Sequence, residues 1–318
     1  MDQFNVYKDM KARTNGEIYI GVVGPVRTGK STFIKRFMNL MVLPNIEDEN
    51  DRNRANDELP QSSSGKTIMT TEPKFVPNEA VSIKTEEGIE LNVRLIDCVG
   101  YMVEGATGHM EGEEERLVKT PWFDYEIPFT KAAAIGTKKV ITEHSTIGVV
   151  VTCDGSFGEI AAKQYEPAEE ETIKQLKALK KPFVVLLNTI HPYSESTKQL
   201  AAEKEEKYQT KVLPMNLEQM KKEDIYEIIK SVLMEFPISS IGFYVPRWTE
   251  MLKKDHPLKM ELLQMARDVI TEKTTMRDIY EEQEKEYEYI TGQKLESVAM
   301  DSGEVVITVK VGDVYYYE

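Results

Sequence analysis

Short apolar runs rich in Val, Ile and Leu recur at residues 18–23, 91–97, 147–153 and 183–188. Runs of this length without polar alternation predict strands buried on both faces, as in a parallel sheet. Helical patterns lie between or after them, at 31–41, roughly 129–144, 167–180, 195–208 and 221–234. In the first of these, Phe33, Ile34, Phe37, Met38 and Met41 fall on one face. Strands alternating with helices predict a doubly wound, mostly parallel α/β domain. Val212-Leu213-Pro214-Met215 adds a short strand, and residues 74–84 and 89–97 read as an antiparallel pair joined at Glu86-Glu87-Gly88.

Two stretches break the alternation. Residues 44–71 are polar and carry Asn53, Asn56, Pro60 and Ser62-Ser63-Ser64-Gly65, and residues 100–128 carry Gly105, Gly108, Gly112, Pro121 and Pro128. Both read as irregular, and loops this long inside a compact domain are usually functional or mobile. Near residue 237 the pattern changes, with Pro237, Gly242 and Pro246 as punctuation. A long charged helix over about 257–290 is predicted there, then a hairpin of 295–300 and 305–311 around Asp301-Ser302-Gly303-Glu304. The predicted organisation is therefore an α/β domain over 1–236 and a smaller α+β domain over 237–318. The acidic run Glu281–Glu288 reads as a solvated helix face. The end at Tyr315-Tyr316-Tyr317-Glu318 reads as a truncation, or as a tail that packs on a partner.

Between the first strand and the first helix stands Gly24-Pro25-Val26-Arg27-Thr28-Gly29-Lys30-Ser31, which fits G-x-x-x-x-G-K-[ST]. In this pattern glycines let backbone N–H groups turn onto phosphate oxygens, and the helix N-terminus adds partial positive charge. Gly24, Arg27, Thr28, Gly29, Lys30, Ser31 and Thr32 are thus candidate nucleotide contacts. Lys30 would reach the β- and γ-phosphates and Ser31 would ligate Mg²⁺. The fold class is that of a GTPase-like P-loop NTPase.

The run ending at Asp97 places an acid at a strand end, and Gly100 follows three residues later. Asp97 would hold Mg²⁺ through water, and the Gly100 N–H would sense a γ-phosphate. Before it, Thr70 and Thr71 are both candidates for the threonine that ligates Mg²⁺ only in a triphosphate state. A plain strand-edge role is the alternative. Guanine-specific switches use Asn-Lys-x-Asp after a buried strand, and here the segment is Asn188-Thr189-Ile190-His191. Asn188 remains a candidate contact, but the acid that would reject adenine is replaced by His191, which implies ATP rather than GTP. Tyr101 stands where Ras-like enzymes place a water-orienting Gln, so another group positions the water or turnover is slow. Arg27 reads either as a charge stabiliser in cis or as a solvent-facing loop residue.

The chain of 318 residues has a formal net charge of −14, with 41% hydrophobic and 30% charged residues. That balance argues against a general nucleic-acid binder, which needs a basic face. Cys98 and Cys153 both sit in apolar runs and no two of the four histidines stand at metal-ligand spacing, so neither a disulfide nor a zinc site is expected. The first residues lack a signal-peptide pattern and no apolar run is long enough to span a bilayer. The expectation is a cytoplasmic protein whose membrane association, if any, is peripheral.

Several longer strings resemble the stage IV sporulation protein A family. They are the 24–31 loop, Asp57-Glu58-Leu59-Pro60-Gln61, the stretch from Lys66 to Pro77 and Asp97-Cys98-Val99-Gly100-Tyr101, with Thr120-Pro121-Trp122 and Glu143 to Val150. The likeness is close to about residue 236 and looser beyond. It implies a morphogenetic ATPase related to translation-factor GTPases, with ATP and Mg²⁺ bound and hydrolysis driving assembly of a homopolymer. That polymer would form the basement layer of the spore coat, in the mother-cell cytoplasm at the outer surface of the forespore. The implied partners are the protein itself, a small amphipathic membrane-anchoring peptide and coat morphogenetic proteins. Carried over residue by residue, Lys30 and Ser31 bind phosphate and Mg²⁺, Thr70 and Thr71 are sensors, and Asp97 is the Walker B acid. Family members usually carry a further C-terminal domain that this chain lacks. A GTP-dependent switch and a nucleotide-binding scaffold without turnover are the competing functions, whereas a metabolic kinase lacks a second-substrate acid–base set.

Overall fold

The computed structural model describes residues 5–60, 72–84, 89–111, 114–158, 160–280 and 285–312. The candidate sensors Thr70 and Thr71 and the Glu86-Glu87-Gly88 turn lie outside the described residues. The chain divides into two compact units, one over residues 6–232 and one from residue 233 onward.

The first unit runs α1 (Val6–Arg13), β1 (Glu17–Val23), α2 (Lys30–Phe37), α3 (Glu49–Asp57), β2 (Lys74–Lys84), β3 (Glu90–Asp97), the short β4 (Met110–Glu111) and β5 (Glu114–Glu115), β6 (Leu117–Thr120), β7 (Phe123–Pro128), α4 (Phe129–Lys139), β8 (Ile147–Cys153), α5 (Ala162–Ala178), β9 (Phe183–Asn188), α6 (Glu195–Tyr208), β10 (Val212–Met215) and α7 (Lys222–Met234). The main sheet has the order β10-β9-β8-β1-β3-β2. All of its pairings are parallel except β2 with β3. β1 therefore has β3 on one side and β8 on the other. The chain leaves β1 toward one edge and later returns to the opposite side, and ligands of open α/β sheets bind at such a switch point, outside the strands' carboxyl ends.

Every residue of β8 and β9 is buried, as expected of strands covered on both faces. Val150, Val185, Leu187, Ile173 and Leu176 share one apolar cluster there. On α2 the predicted stripe is observed, with Phe33, Ile34 and Phe37 buried; burying a side chain such as Phe33 stabilises by about 1.5–3 kcal/mol. The helix then widens, with Leu43 N–H reaching back to Met38 O, and Pro44 follows where a regular helix could not continue. Both edge strands of the sheet contain a proline, Pro77 in β2 and Pro214 in β10. In β2 the pairing register also jumps between Val76 and Val81.

The stretch 44–71 is not wholly irregular, because α3 stands within it. This helix buries only Ala55 and so carries no apolar stripe. It is held instead by the Asp48 carboxylate capping Asp51 N–H at 2.9 Å, by Arg54 between Asp51 and Glu79, and by Glu58 accepting from Asn78. Residues 110–128 likewise form two small hairpins, β4–β5 and β6–β7.

The second unit contains β11 (Ser240–Tyr244), α8 (Pro257–Glu272), β12 (Ile290–Ala299) and β13 (Glu304–Val311), with sheet order β11-β13-β12. The predicted hairpin is the antiparallel pair β12–β13, and β11 adds in parallel to β13. The predicted helix over 257–290 is corrected: it ends at Glu272. Beyond it the Asp278 carboxylate accepts from Thr274 N–H, Thr275 N–H and the Thr274 hydroxyl. Met276 and Arg277 N–H groups bond Phe236 and Met234 carbonyls, pairing this stretch with distant chain. Residues 285–288 of the acidic run are not a helix face either. This part is irregular, with Lys285 and the Tyr287 hydroxyl on Asp268, and the Glu288 and Tyr289 N–H groups on Glu261. Among the described residues no helix is long and apolar enough to cross a membrane.

Candidate functional site

The 24–31 loop connects the end of β1 to the start of α2, at the switch point of the sheet. Its path needs left-handed backbone at Gly24, Arg27 and Gly29. The Thr28 hydroxyl closes the turn by donating to Pro25 O at 3.0 Å. Lys30 begins α2 and is buried, its ammonium donating to Pro25 O at 2.5 Å and Gly24 O at 3.4 Å. Ser31 is exposed beside it, and Thr32 is half-buried on the same first turn.

β3 brings the acid to this loop. Its register with β1 sets Asp97 opposite Val22. The Ser31 hydroxyl donates to Asp97 Oδ2 at 3.0 Å. The other oxygen, Oδ1, is buried and has no hydrogen-bond partner among the described residues. Burial pushes the Asp97 carboxyl up, and Lys30, then the Ser31 hydrogen bond, oppose that shift. Burial also pushes the Lys30 ammonium down, against the pull of Cys98, Asp97 and Cys153.

Gly100 follows with φ 93°, and a Cβ built on it would stand 2.1 Å from Gly24 O and 2.7 Å from Lys30 Nζ. No side chain fits there, so the backbone after Asp97 lies directly against the loop. Val26 N–H bonds Tyr101 O at 3.0 Å and fixes that contact. Tyr101 itself packs at the edge of a cluster formed by Val26, Val103, Ala106, Cys153 and Ile160. Burial raises its phenol to about 12. Arg27 reaches across to the same segment and donates to Thr107 Oγ1 at 2.9 Å and Thr107 O at 3.2 Å.

Asn188 closes the loop from the β9 side. Its amide donates to Thr28 O at 3.0 Å, and its Oδ1 accepts from Leu217 N–H at 3.2 Å. A Cβ on Gly29 would lie 2.5 Å from that amide nitrogen. Lys30, Ser31, Asp97, Gly100 and Asn188 are thus brought together from three strand ends. Two groups escaped the sequence reading. Thr107 carries no local signal. Asp154 stands directly after buried β8, as Asp97 does after β3, and that parallel could have revealed it.

The constellation can bind phosphate through the loop and helix N-terminus. The unpartnered Asp97 oxygen beside a serine hydroxyl fits a hydrated divalent cation, whose ligands are hard oxygens.

Residues 1–237 match the family model described as "Stage IV sporulation protein A, ATPase domain", and residues 238–318 that of "Stage IV sporulation protein A, middle domain". The chain is 46% identical over 318 residues to Stage IV sporulation protein A of Bacillus anthracis, covering 99% of this chain and 65% of that protein. It is 54% identical over 275 residues to the protein of the same name from Clostridioides difficile (strain 630), covering 86% of this chain and 56% of that one. The Bacillus subtilis (strain 168) protein of that name is 45% identical over 318 residues, again covering 65% of its own length. The chain thus spans less than two thirds of the length of these relatives.

Proposed function

The chain belongs to the stage IV sporulation protein A family, and from that premise we propose that it binds ATP at the 24–31 loop and hydrolyses it, the cycle driving self-assembly of the spore coat basement layer. The observation that carries this reading is the convergence of Lys30, Ser31 and Asp97 on one loop, with an Asp97 oxygen that has no hydrogen-bond partner among the described residues.

In this reading the loop N–H groups and Lys30 bind the β- and γ-phosphates. Ser31 and Asp97 hold Mg²⁺, with Thr70 or Thr71 as a further ligand and sensor. Mg²⁺ held by these residues would supply positive charge that offsets the charge of the phosphates. The Gly100 N–H senses the γ-phosphate, which its close approach to Lys30 supports. Thr28 and Thr32 shape the first turn around the phosphates. Arg27 acts as a clamp on residue 107, and its two hydrogen bonds to Thr107 favour that role over charge stabilisation. Asn188 braces the loop through Thr28 and Leu217. Tyr101 packs among apolar groups and offers no water-orienting amide, so either another group positions the water or turnover is slow.

The partners proposed with this activity are further copies of the chain, a small amphipathic membrane-anchoring peptide and coat morphogenetic proteins. The proposed location is the mother-cell cytoplasm at the forespore surface.

The test is hydrolysis of ATP and of GTP with Mg²⁺ by the purified chain, beside Lys30→Ala. Preferential ATP turnover that disappears in Lys30→Ala is the expected result. Turnover unchanged in Lys30→Ala would overturn the site, and a GTP preference would favour a switch instead.

A further inference from the structure

Two loops beside the 24–31 loop are tied to each other by a closed set of hydrogen bonds. The first follows β8 and contains Asp154-Gly155-Ser156. The second follows β9 and contains Asn188-Thr189-Ile190-His191. The Thr189 side chain is fully buried, and its hydroxyl donates to Asp154 Oδ2 at 2.5 Å while accepting from His191 N–H at 3.1 Å. Asp154 Oδ1 accepts from Ser156 N–H at 2.9 Å. The Ser156 hydroxyl in turn accepts from Ile190 N–H at 3.1 Å. Asp154 N–H reaches Asn188 O at 3.4 Å, and Thr189 N–H bonds Met215 O at 3.0 Å. Every residue of the 188–191 turn is therefore held by a named partner, and Asn188 is itself on Thr28 of the phosphate loop.

We propose that Asp154 is a positioning residue for the nucleobase, acting through the Thr189 hydroxyl to set the 188–191 turn against which adenine is read. The proposal rests on the ATP site described above. Each Asp154 oxygen accepts a hydrogen bond within the protein, Oδ2 from the Thr189 hydroxyl and Oδ1 from Ser156 N–H, and the pair holds the carboxylate in place. Its function is to fix the turn's backbone: the Thr189, Ile190 and His191 N–H groups are taken within the protein, so it is the turn's carbonyl oxygens that accept from the adenine amino group. A brace of this kind touches the phosphate loop only through Asn188, so its loss falls far more on the base than on the phosphates. Its loss therefore separates the two halves of the ligand.

The experiment measures binding of ATP and of tripolyphosphate, which has no base, to the full chain with Mg²⁺. Thr189→Val removes the hydroxyl at nearly constant shape, Asp154→Asn removes the carboxylate, and Thr189→Ser keeps the hydroxyl. The expected result is ATP affinity reduced about tenfold in Thr189→Val and in Asp154→Asn, the effect of one lost hydrogen bond to a charged group. Tripolyphosphate affinity stays within about twofold, and Thr189→Ser stays near the parent protein for both ligands. Maximal turnover at saturating ATP is kept while KM rises. Should Thr189→Val fail to fold, Asp154→Asn and Thr189→Ser carry the comparison.

Equal losses for both ligands, or no loss for ATP, would overturn the positioning role. Lys30→Ala in the same assay separates the two readings. If it leaves tripolyphosphate binding intact, the phosphate site itself is misassigned. If it abolishes that binding while Thr189→Val leaves ATP unchanged, only the base assignment fails.

Discussion

Ser31 donates its hydroxyl to one oxygen of Asp97 across 3.0 Å, while the other oxygen of the same carboxylate is buried with no hydrogen-bond partner among the described residues. An unpaired buried carboxylate oxygen costs free energy, so a ligand that supplied the missing interaction would be favoured at this position. A hydrated divalent cation fits this residue pair, in keeping with the proposed site.

Asp97→Asn keeps the shape and removes the charge. Mg²⁺-dependent turnover is expected to fall by about 10–100-fold, as when a group that orients a metal site is lost. The parent protein should lose turnover on EDTA treatment and recover it with added Mg²⁺. Phosphate release measured against Mg²⁺ concentration checks both.

Gly100→Ala meets two obstacles, a backbone at φ 93° and a Cβ 2.1 Å from Gly24 O. The expected cost in stability is about 1–3 kcal/mol. Nucleotide turnover should fall further than stability alone explains, because the loop must move off Gly100. Denaturant midpoints beside turnover rates test this, and an Ala variant with parent-like values in both would contradict the close approach.

Glu169 and Lys204 form an ion pair at 2.6 Å between α5 and α6, with the Glu169 side chain fully buried. The Thr152 hydroxyl donates to the second Glu169 oxygen. Lys204→Met leaves that carboxylate without its cation and should cost about 3–5 kcal/mol. Glu169→Leu combined with Lys204→Met should cost clearly less than the two single changes added together. A double-mutant cycle in urea measures the difference.

Arg27→Ala releases Thr107 from the phosphate loop. Because the guanidinium is exposed, global stability should change by about 1 kcal/mol or less. Hydrogen exchange over residues 101–109 should instead speed up by about fivefold, the factor matching 1 kcal/mol of local stability. Unchanged exchange there would remove the clamp.

Much of the first unit was legible because its signals are local. A strand buried on both faces has to be continuously apolar, and the phosphate loop needs its glycines and lysine in fixed order. The six sheet strands and the convergence of Lys30, Ser31 and Asp97 follow from those constraints. What the pattern missed depends on partners far away in sequence. α3 has no apolar face to announce it and rests on a cap and on contacts with Asn78 and Glu79. The end of α8 is set where Met276 and Arg277 pair with Phe236 and Met234, about forty residues earlier. β11 was hidden by Gly242 and two flanking prolines, which read as punctuation, although β13 recruits it as a parallel neighbour. Asp154 escaped because no motif names it; only the folded chain shows its carboxylate on Thr189.

The prolines at the two rims of the six-stranded sheet have a further effect. An open rim is an invitation to a passing strand, since it displays a ladder of donors and acceptors. Pro77 and Pro214 each delete a rung, and the jump between Val76 and Val81 twists one rim away from the plane. These two rims are therefore poor templates for a strand from another copy in the manner of amyloid. Copies meeting at this sheet would have to recognise one another through side chains rather than through a shared backbone ladder.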